Sequence, residues 1–321
     1  MQLTRERLIE AYRRMKRIRE FEERVTAEFA AGKIPGFLHT YAGQEASGVG
    51  ICMHLADDDW IASTHRGHGH CLAKDCEVSG MMHEIFGRAT GLCRGKGGSM
   101  HIADFEKGML GANAIVGGNP PIVIGAALSA KTLGTGKVAV SFIGDGASNQ
   151  GTAFEAMNLA VVLKLPAIFV IENNGYGEGT GVSYHCGAKD IAARAASFGM
   201  PSITADGTDF FAVYEAMREA TERARSGLGP TTIVTTCMRF HGHFVGDAQL
   251  YRSKAEIENA RLNDPLVNFR GRVTEAALLD NADLDAVDAE VQAELEAAVA
   301  SADAAPFPAP EQLTTDVYFR Y

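Results

Sequence analysis

The sequence predicts an α/β protein: a mostly parallel sheet flanked by helices, with helical extensions at both ends. Three observations carry this. Strand-like and helix-like segments alternate from residue 59 to 238, the pattern of a sheet whose connections are helical. Within that span, the apolar run Val138-Ala139-Val140-Ser141-Phe142-Ile143 ends in Gly144-Asp145-Gly146, and a second run, Ala167-Ile168-Phe169-Val170-Ile171, ends in Asn173-Asn174. A helix-like stretch, Asn149 to Lys164, joins them, so the unit reads strand, turn, helix, strand. Helical periodicity also occupies residues 4–31 and 254–302.

The elements follow in order. Leu8, Tyr12, Met15, Ile18, Val25 and Phe29 recur at helical spacing over 4–31, and the opposite, charged face is either solvated or a subunit surface. Gly32-Lys33-Ile34-Pro35-Gly36 breaks this helix. Gln44 to His54 reads as a helix, Trp60–Ser63 as a short strand, and 79–87 as a helix. Residues 88–119 are glycine-rich and aperiodic, a loop whose length points to function. Pro121–Leu133 is a helix of small residues. Beyond the central unit, Ala188–Phe198 is helical, Ser202–Ala205 strand-like and Asp209–Ser226 helical, with Thr208 or Asp209 as its cap. Thr231–Met238 is a strand, and the Pro306, Pro308, Pro310 tail is extended. The expected division is an N-terminal helix (1–35), a ligand-binding α/β domain (36–250) and a helical extension with tail (251–321).

Composition sets the frame. In 321 residues, 46% are hydrophobic and 22% charged, the balance of a globular enzyme with ample core. A net charge of −10 argues against nucleic acid as a partner. The six cysteines form no CxxC pair and read as reduced thiols. No apolar stretch approaches the ~20 residues that span a bilayer, and charges from Arg5 to Arg24 leave no signal core. The expectation is a soluble protein, cytoplasmic if bacterial.

The central unit carries chemistry. A strand–helix–strand crossover brings both strand ends to one edge of the sheet, where open parallel sheets bind ligands. Asp145 and the Asn173-Asn174 pair supply hard oxygen donors, suited to Mg²⁺ or Ca²⁺. The glycines beside Asp145 allow close backbone approach, and the helix N-terminus near Asn149 favours an anion. A magnesium-bound phosphate or diphosphate is the ligand this predicts. Either tripeptide alone is also an ordinary turn; together, in this context, they match the thiamine-diphosphate-binding motif.

Two histidine clusters follow predicted strands: Ser63-Thr64-His65-Arg66-Gly67-His68-Gly69-His70 and Arg239-Phe240-His241-Gly242-His243. His39, His65 and His243 are the functional candidates, since imidazole titrates near neutrality. His54, His83, His101 and His185, together with His68 and His70, read as loop histidines satisfied by backbone. Arg66 and Arg239 suit a diphosphate through their forked donors, or else form surface salt bridges. A zinc site from His68, His70 and His243 lacks an HExxH helix or a cysteine pair. A nicotinamide site lacks a GxGxxG turn.

Gly144–Thr180, Gly36–Gly48, Ser63–Gly69, Gly95–Pro120 and Arg239–Arg252 together resemble the α subunits of thiamine-diphosphate-dependent 2-oxo-acid dehydrogenases. Ser63–Cys71, Phe240–Phe244 and Gly246–Gln249 are most similar to the acetoin dehydrogenase branch. The resemblance implies thiamine diphosphate and Mg²⁺ as cofactors, with Asp145 and Asn174 binding the metal by side chain and Tyr176 by its carbonyl. It implies that Arg66 and Arg239 hold the diphosphate, with His65 and the backbone of Gly146 and Ala147. Ala114 and Val116 would meet the aminopyrimidine through backbone atoms, and His39 and His243 would line the substrate pocket as catalytic residues. The two-carbon unit cut from a small-molecule substrate would pass to a lipoyl-bearing acyltransferase. Pyruvate or a branched 2-oxo acid is the alternative substrate, and a non-catalytic scaffold subunit the alternative of another class. His65 stands where mitochondrial-type pyruvate enzymes carry Tyr, and Phe244 where they carry a regulatory serine. Ala114 stands where many relatives have Gly. In this family the cofactor-activating glutamate belongs to a separate β subunit, commonly in an α₂β₂ heterotetramer. The chain is too short to hold both halves, and Glu155 and Glu172 lie at the diphosphate end.

Overall fold

The structure, a computed structural model, describes residues 3–318 and Arg320. The chain runs through α1 (Arg5–Ala30), α2 (Glu45–Cys52), β1 (Trp60–Thr64), α3 (Gly67–Ala73), α4 (Val78–Ile85), β2 (Met109–Asn113), α5 (Asn119–Leu133) and β3 (Ala139–Gly144). It continues with α6 (Gly151–Val162), β4 (Ala167–Asn173), the short hairpin β5 (Tyr176–Gly177) and β6 (Thr180–Gly181), α7 (Val182–His185), α8 (Ile191–Ala196), β7 (Ser202–Asp206), α9 (Phe210–Arg225) and β8 (Thr231–Thr236). Helices α10 (Lys254–Leu262), α11 (Pro265–Glu275) and α12 (Asn281–Ala304) complete it. No helix of the described residues is long and apolar enough to cross a membrane.

Six strands form one parallel sheet in the order β2-β1-β3-β4-β8-β7. Side chains alternate between its two faces. Ile61, Val140, Phe142, Ile168, Val170 and Ile233 join the core that includes α1, α2, α9 and α12. Ala62, Ala139, Ile143, Ala167, Phe169 and Ile171 join the core with α5, α6 and α8. Burial on both faces explains why β3 and β4 are uninterrupted apolar runs. From β1 the chain crosses to β2 on one side, whereas β3 lies on the other. The C-terminal ends of β1 and β3 therefore flank a switch point, where a crevice opens.

The charged face of α1 is not bare: much of it packs within the chain, on α12, α2 and the start of α11. Arg13 pairs with Glu290 at 3.3 Å and Arg17 with Glu294 at 2.8 Å, while Arg19 bridges Glu45 and Asp264, each at 2.7 Å. The two partly exposed pairs to α12 contribute only about 0–1 kcal/mol each and serve to fix the register of α1 against α12, whereas Arg19 ties α1 to the buried Glu45 of α2 and to the N-cap of α11.

Several expected boundaries shift. The 88–119 segment contains β2, the edge strand beside β1, which also bridges back to Asp104 through Met109 and is too short and glycine-interrupted to show alternation. Ahead of it the chain wraps the buried Glu84 carboxylate, which accepts from the backbone N–H of Cys93, Gly95, Gly97 and Gly98 at 2.7–3.0 Å. Helix α3 begins at Gly67, so His68 and His70 are helical, not loop, residues. Helix α6 begins at Gly151, after a 3₁₀ turn at Ala147–Asn149. Asp209 is the cap of α9, accepting from Phe211 and Ala212 N–H. The tail is not wholly extended, because Pro310–Thr314 forms a 3₁₀ turn.

Gly69 marks the tightest approach beneath the sheet edge. A Cβ there would lie 2.1 Å from the Tyr41 ring, which is fully buried and anchored by a hydrogen bond from its hydroxyl to Glu172. Gly69→Ala should therefore destabilise the fold by about 3 kcal/mol, at the upper end of overpacking effects. Urea denaturation would check this; an unchanged midpoint would show that Tyr41 can move.

Candidate active site

A cavity of about 500 Å³ opens at the C-terminal ends of β1, β3 and β4. Its wall includes His65, Arg66, Val116, Asp145, Gly146, Ala147, Asn174, Tyr176, Arg239 and His243. Of the residues singled out in the sequence, His39 and Ala114 are not on this wall. Ala114 directly follows β2, whose last carbonyl, on Asn113, accepts from His65 N–H at 3.2 Å. His39 packs behind His65 and His243.

Asp145 is fully buried at the end of β3. Burial pushes its carboxyl up, against the opposing pull of His185. Its Oδ2 lies 3.1 Å from His185 Nε2, while Oδ1 is buried with no hydrogen-bond partner. Such an unspent acceptor costs about 1–3 kcal/mol, which a cation would recover. Asn174 donates its amide N–H to Gln44 Oε1 at 3.1 Å, so its Oδ1 is the acceptor end; that oxygen takes one long contact, from Tyr176 N–H at 3.4 Å, and keeps a lone pair for a cation. A carboxylate and an amide oxygen with little other protein ligation match a magnesium site completed by phosphate and water. Gly146 and Gly177 press together: a Cβ on Gly146 would lie 3.0 Å from Gly177 Cα. Only a glycine pair lets the β5 hairpin close over the end of β3.

Arg66 and Arg239 are 7% and 2% exposed, so the surface salt-bridge alternative is excluded. Their donors reach neutral groups. Arg66 donates to the carbonyls of Thr40 and His243. Arg239 donates to the Glu178 carbonyl at 3.0 Å and faces the Tyr251 hydroxyl at 3.4 Å. Burial, and then the neighbouring Arg239, pull Arg66 down to about 9. Two guanidinium groups held together without a carboxylate between them form an anion site, and forked donors suit phosphate.

Beside them His39 stacks on His65 at 4.9 Å, and both rings meet His243, at 4.8 and 5.7 Å. Burial, reinforced by Arg66, pushes His39 down to about 2 and His243 to about 3; His65 moves the same way. All three rings are neutral at pH 7 and can serve as proton acceptors. Asp247 holds the His243 segment, accepting from His243 N at 2.7 Å and from the Tyr251 hydroxyl at 2.6 Å.

Three contributors escaped the sequence reading. His185 reaches Asp145, although it lies outside both strand-end clusters. Glu172 and His70 line the cavity floor: Glu172 accepts from Tyr41 and from Ser47 at 2.9 Å, and His70 Nε2 meets it at 3.1 Å while Nδ1 meets Ser63 at 2.7 Å. His68 is likewise engaged at both nitrogens, by Glu22 at 2.9 Å and Ser99 at 2.8 Å. His68, His70 and His83, which meets Thr90 and Ser301, are thus satisfied by side chains, not backbone. Neither His68 nor His70 has a nitrogen left for zinc. Only partners distant in sequence reveal these roles.

Depressed histidines also set a pH dependence. Unfolded, these imidazoles titrate near 6.5; folded, His39 and His243 resist protons until about 2 and 3. Below pH 6.5 the unfolded chain binds more protons, so stability falls with pH by up to about 1.4 kcal/mol per unit for each ring. Denaturant titrations at pH 7 and 5 should show a smaller loss in His39→Asn than in the unaltered chain. Equal losses would mean that His39 protonates freely in the fold.

Comparison with known proteins follows from this site. The α subunit of acetoin:2,6-dichlorophenolindophenol oxidoreductase from Cupriavidus necator is 54% identical over 320 residues, covering 99% of this chain and 96% of that protein. Its counterpart from Bacillus subtilis is 51% identical, covering 100% and 96%. The α subunit of the pyruvate dehydrogenase E1 component from Rhizobium meliloti is 39% identical, covering 96% and 89%. The family model described as dehydrogenase E1 component matches residues 13–311, and the chain belongs to that family.

Proposed function

We propose that this chain is the α subunit of a thiamine-diphosphate-dependent oxidoreductase that cleaves acetoin and passes the two-carbon unit to a lipoyl acceptor on a partner acyltransferase. One observation carries the cofactor assignment: two buried guanidiniums, Arg66 and Arg239, share a cavity with a buried carboxylate, Asp145, that has one oxygen unspent. A lone anion would not satisfy Asp145 and a lone cation would not satisfy the arginines. A metal-bound diphosphate satisfies both.

In this reading Asp145, Asn174 and the Tyr176 carbonyl hold Mg²⁺. Arg66, Arg239 and His65, with the backbone of Gly146 and Ala147, hold the diphosphate, and the backbone at Ala114 and Val116 meets the aminopyrimidine. When bound, thiamine diphosphate supplies a carbon nucleophile and an electron sink for breaking a carbon–carbon bond. His243, kept neutral by burial and Arg66, takes a proton at a ring nitrogen from the substrate hydroxyl. His39, whose Nδ1 has no partner, backs the pair and would exchange protons with the substrate oxygen or the lipoyl sulfur by way of His243, whose ring it meets at 4.8 Å. The glutamate that activates the cofactor comes from a β subunit in an α₂β₂ assembly. Glu172, the most deeply buried glutamate on the cavity wall, supports this, because both its oxygens are already engaged by Tyr41, Ser47 and His70.

The substrate assignment rests on the two relatives named for acetoin, at 54% and 51% identity against 39% for the pyruvate relative. The test is an assay with dichlorophenolindophenol on acetoin, pyruvate and 2-oxoisovalerate, with and without the β subunit. Acetoin should be turned over at least about tenfold faster than either acid, and the chain alone should be inactive. Preference for pyruvate would move the assignment to the 2-oxo-acid enzymes. Turnover by the chain alone would overturn the shared site, and calorimetry showing no cofactor binding even with the partner would leave a scaffold subunit.

A further inference from the structure

The metal-side carboxylate is not held by chance. Arg194 Nη1 donates to Asn149 Oδ1 at 2.6 Å. A guanidinium has only donors, so this contact fixes which end of the Asn149 amide is oxygen. The other end, Nδ2, lies 2.9 Å from His185 Nδ1 and 3.3 Å from the His185 carbonyl. An amide NH₂ can only donate, so His185 Nδ1 is the acceptor and the ring proton sits on Nε2. That N–H points at Asp145 Oδ2, 3.1 Å away. Arg194 also grips the Ser148 carbonyl at 3.1 Å, and the Ser148 hydroxyl donates to the Asp145 carbonyl at 2.7 Å. The polarity of the whole chain is set at its arginine end. Its output is a carboxylate with one oxygen occupied and the other, Oδ1, buried and bare.

We infer that Arg194, Asn149 and His185 form a relay that orients Asp145 as a one-oxygen ligand for the magnesium ion, with His185 as its positioning residue. This rests on the reading of the cavity as a magnesium–diphosphate site. The relay works by hydrogen-bond direction. With Oδ2 engaged by a neutral imidazole, swinging to chelate through both oxygens would cost Asp145 the geometry of that hydrogen bond, and the carboxylate keeps its charge for the cation. A small octahedral ion that binds few protein ligands is matched by a single fixed oxygen. Partners of this kind behind a ligand typically change metal affinity 10- to 100-fold when removed.

The test is Mg²⁺ titration by calorimetry at saturating thiamine diphosphate, on the full chain purified with its co-assembling subunit. His185→Ala should weaken Mg²⁺ binding at least about tenfold while the metal-free melting temperature stays unchanged. His185→Gln, whose amide N–H can replace the Nε2 donor, should recover affinity to within about threefold. Unchanged affinity in His185→Ala overturns the relay, as does a His185→Gln variant as weak as the alanine one. If His185→Ala also lowers the melting temperature, the glutamine variant alone decides in the same way. Asp145→Ala separates the two levels: retained Mg²⁺ binding there overturns the site itself, whereas its loss alongside normal binding in His185→Ala overturns only the relay.

Discussion

Arg66 and Arg239 repel one another, and much of the ligand edge is arranged around that repulsion. Each guanidinium is kept in place by neutral carbonyls, Arg66 by those of Thr40 before α2 and His243 after β8, and Arg239 by that of Glu178 in the β5–β6 hairpin. Carbonyls orient a cation without cancelling its charge, so the positive potential stays available inside the cavity. The same field acts on His39, His65 and His243, which sit against Arg66 and rest in their neutral form. A pair of cations without an ion-pair partner among the described residues and a set of neutral rings thus arise from one choice: the two arginines donate to carbonyls in place of carboxylates.

The acidic half of the site obeys the complementary logic. Asp145 lies at a strand end buried on both faces of the sheet, where an ionised carboxyl is costly. It is partly compensated, by His185, and its remaining deficit matches what a divalent cation provides. Glu172, on the floor of the same cavity, is treated in the opposite manner: Tyr41, Ser47 and His70 satisfy it. Two buried acids in one cavity are therefore distinguished by how completely their oxygens are used.

How much was legible in the sequence depended on whether the signal was local. The β3–α6–β4 unit could be read because both polar signals follow apolar runs and the crossover rule brings them together. Arg66, Arg239, His65 and His243 could be placed for the same reason, being at strand ends. Strand β2 could not, because its five residues include Gly111 and lie at the edge of the sheet, with too short a run to show alternation. The engagement of His70 by Glu172 spans 102 positions, and that of His185 by Asp145 spans 40, and no periodicity encodes either. The charged face of α1 was ambiguous because its partners lie on α12, at the far end of the chain. Pattern reports which face of an element is apolar; it is silent on which distant side chain meets a polar one.

Glu84 gives the loop before β2 an unusual character. Four backbone N–H groups that would otherwise need water or a strand partner converge on a single carboxylate. The segment around Cys93–Gly98 therefore behaves as a solid wall without regular secondary structure. Its amides are protected by an internal anion in place of a sheet, so their solvent exchange is coupled to the unfolding of the domain. A stretch that composition alone would class as floppy is instead bound into the same cooperative unit as the strands it leads to.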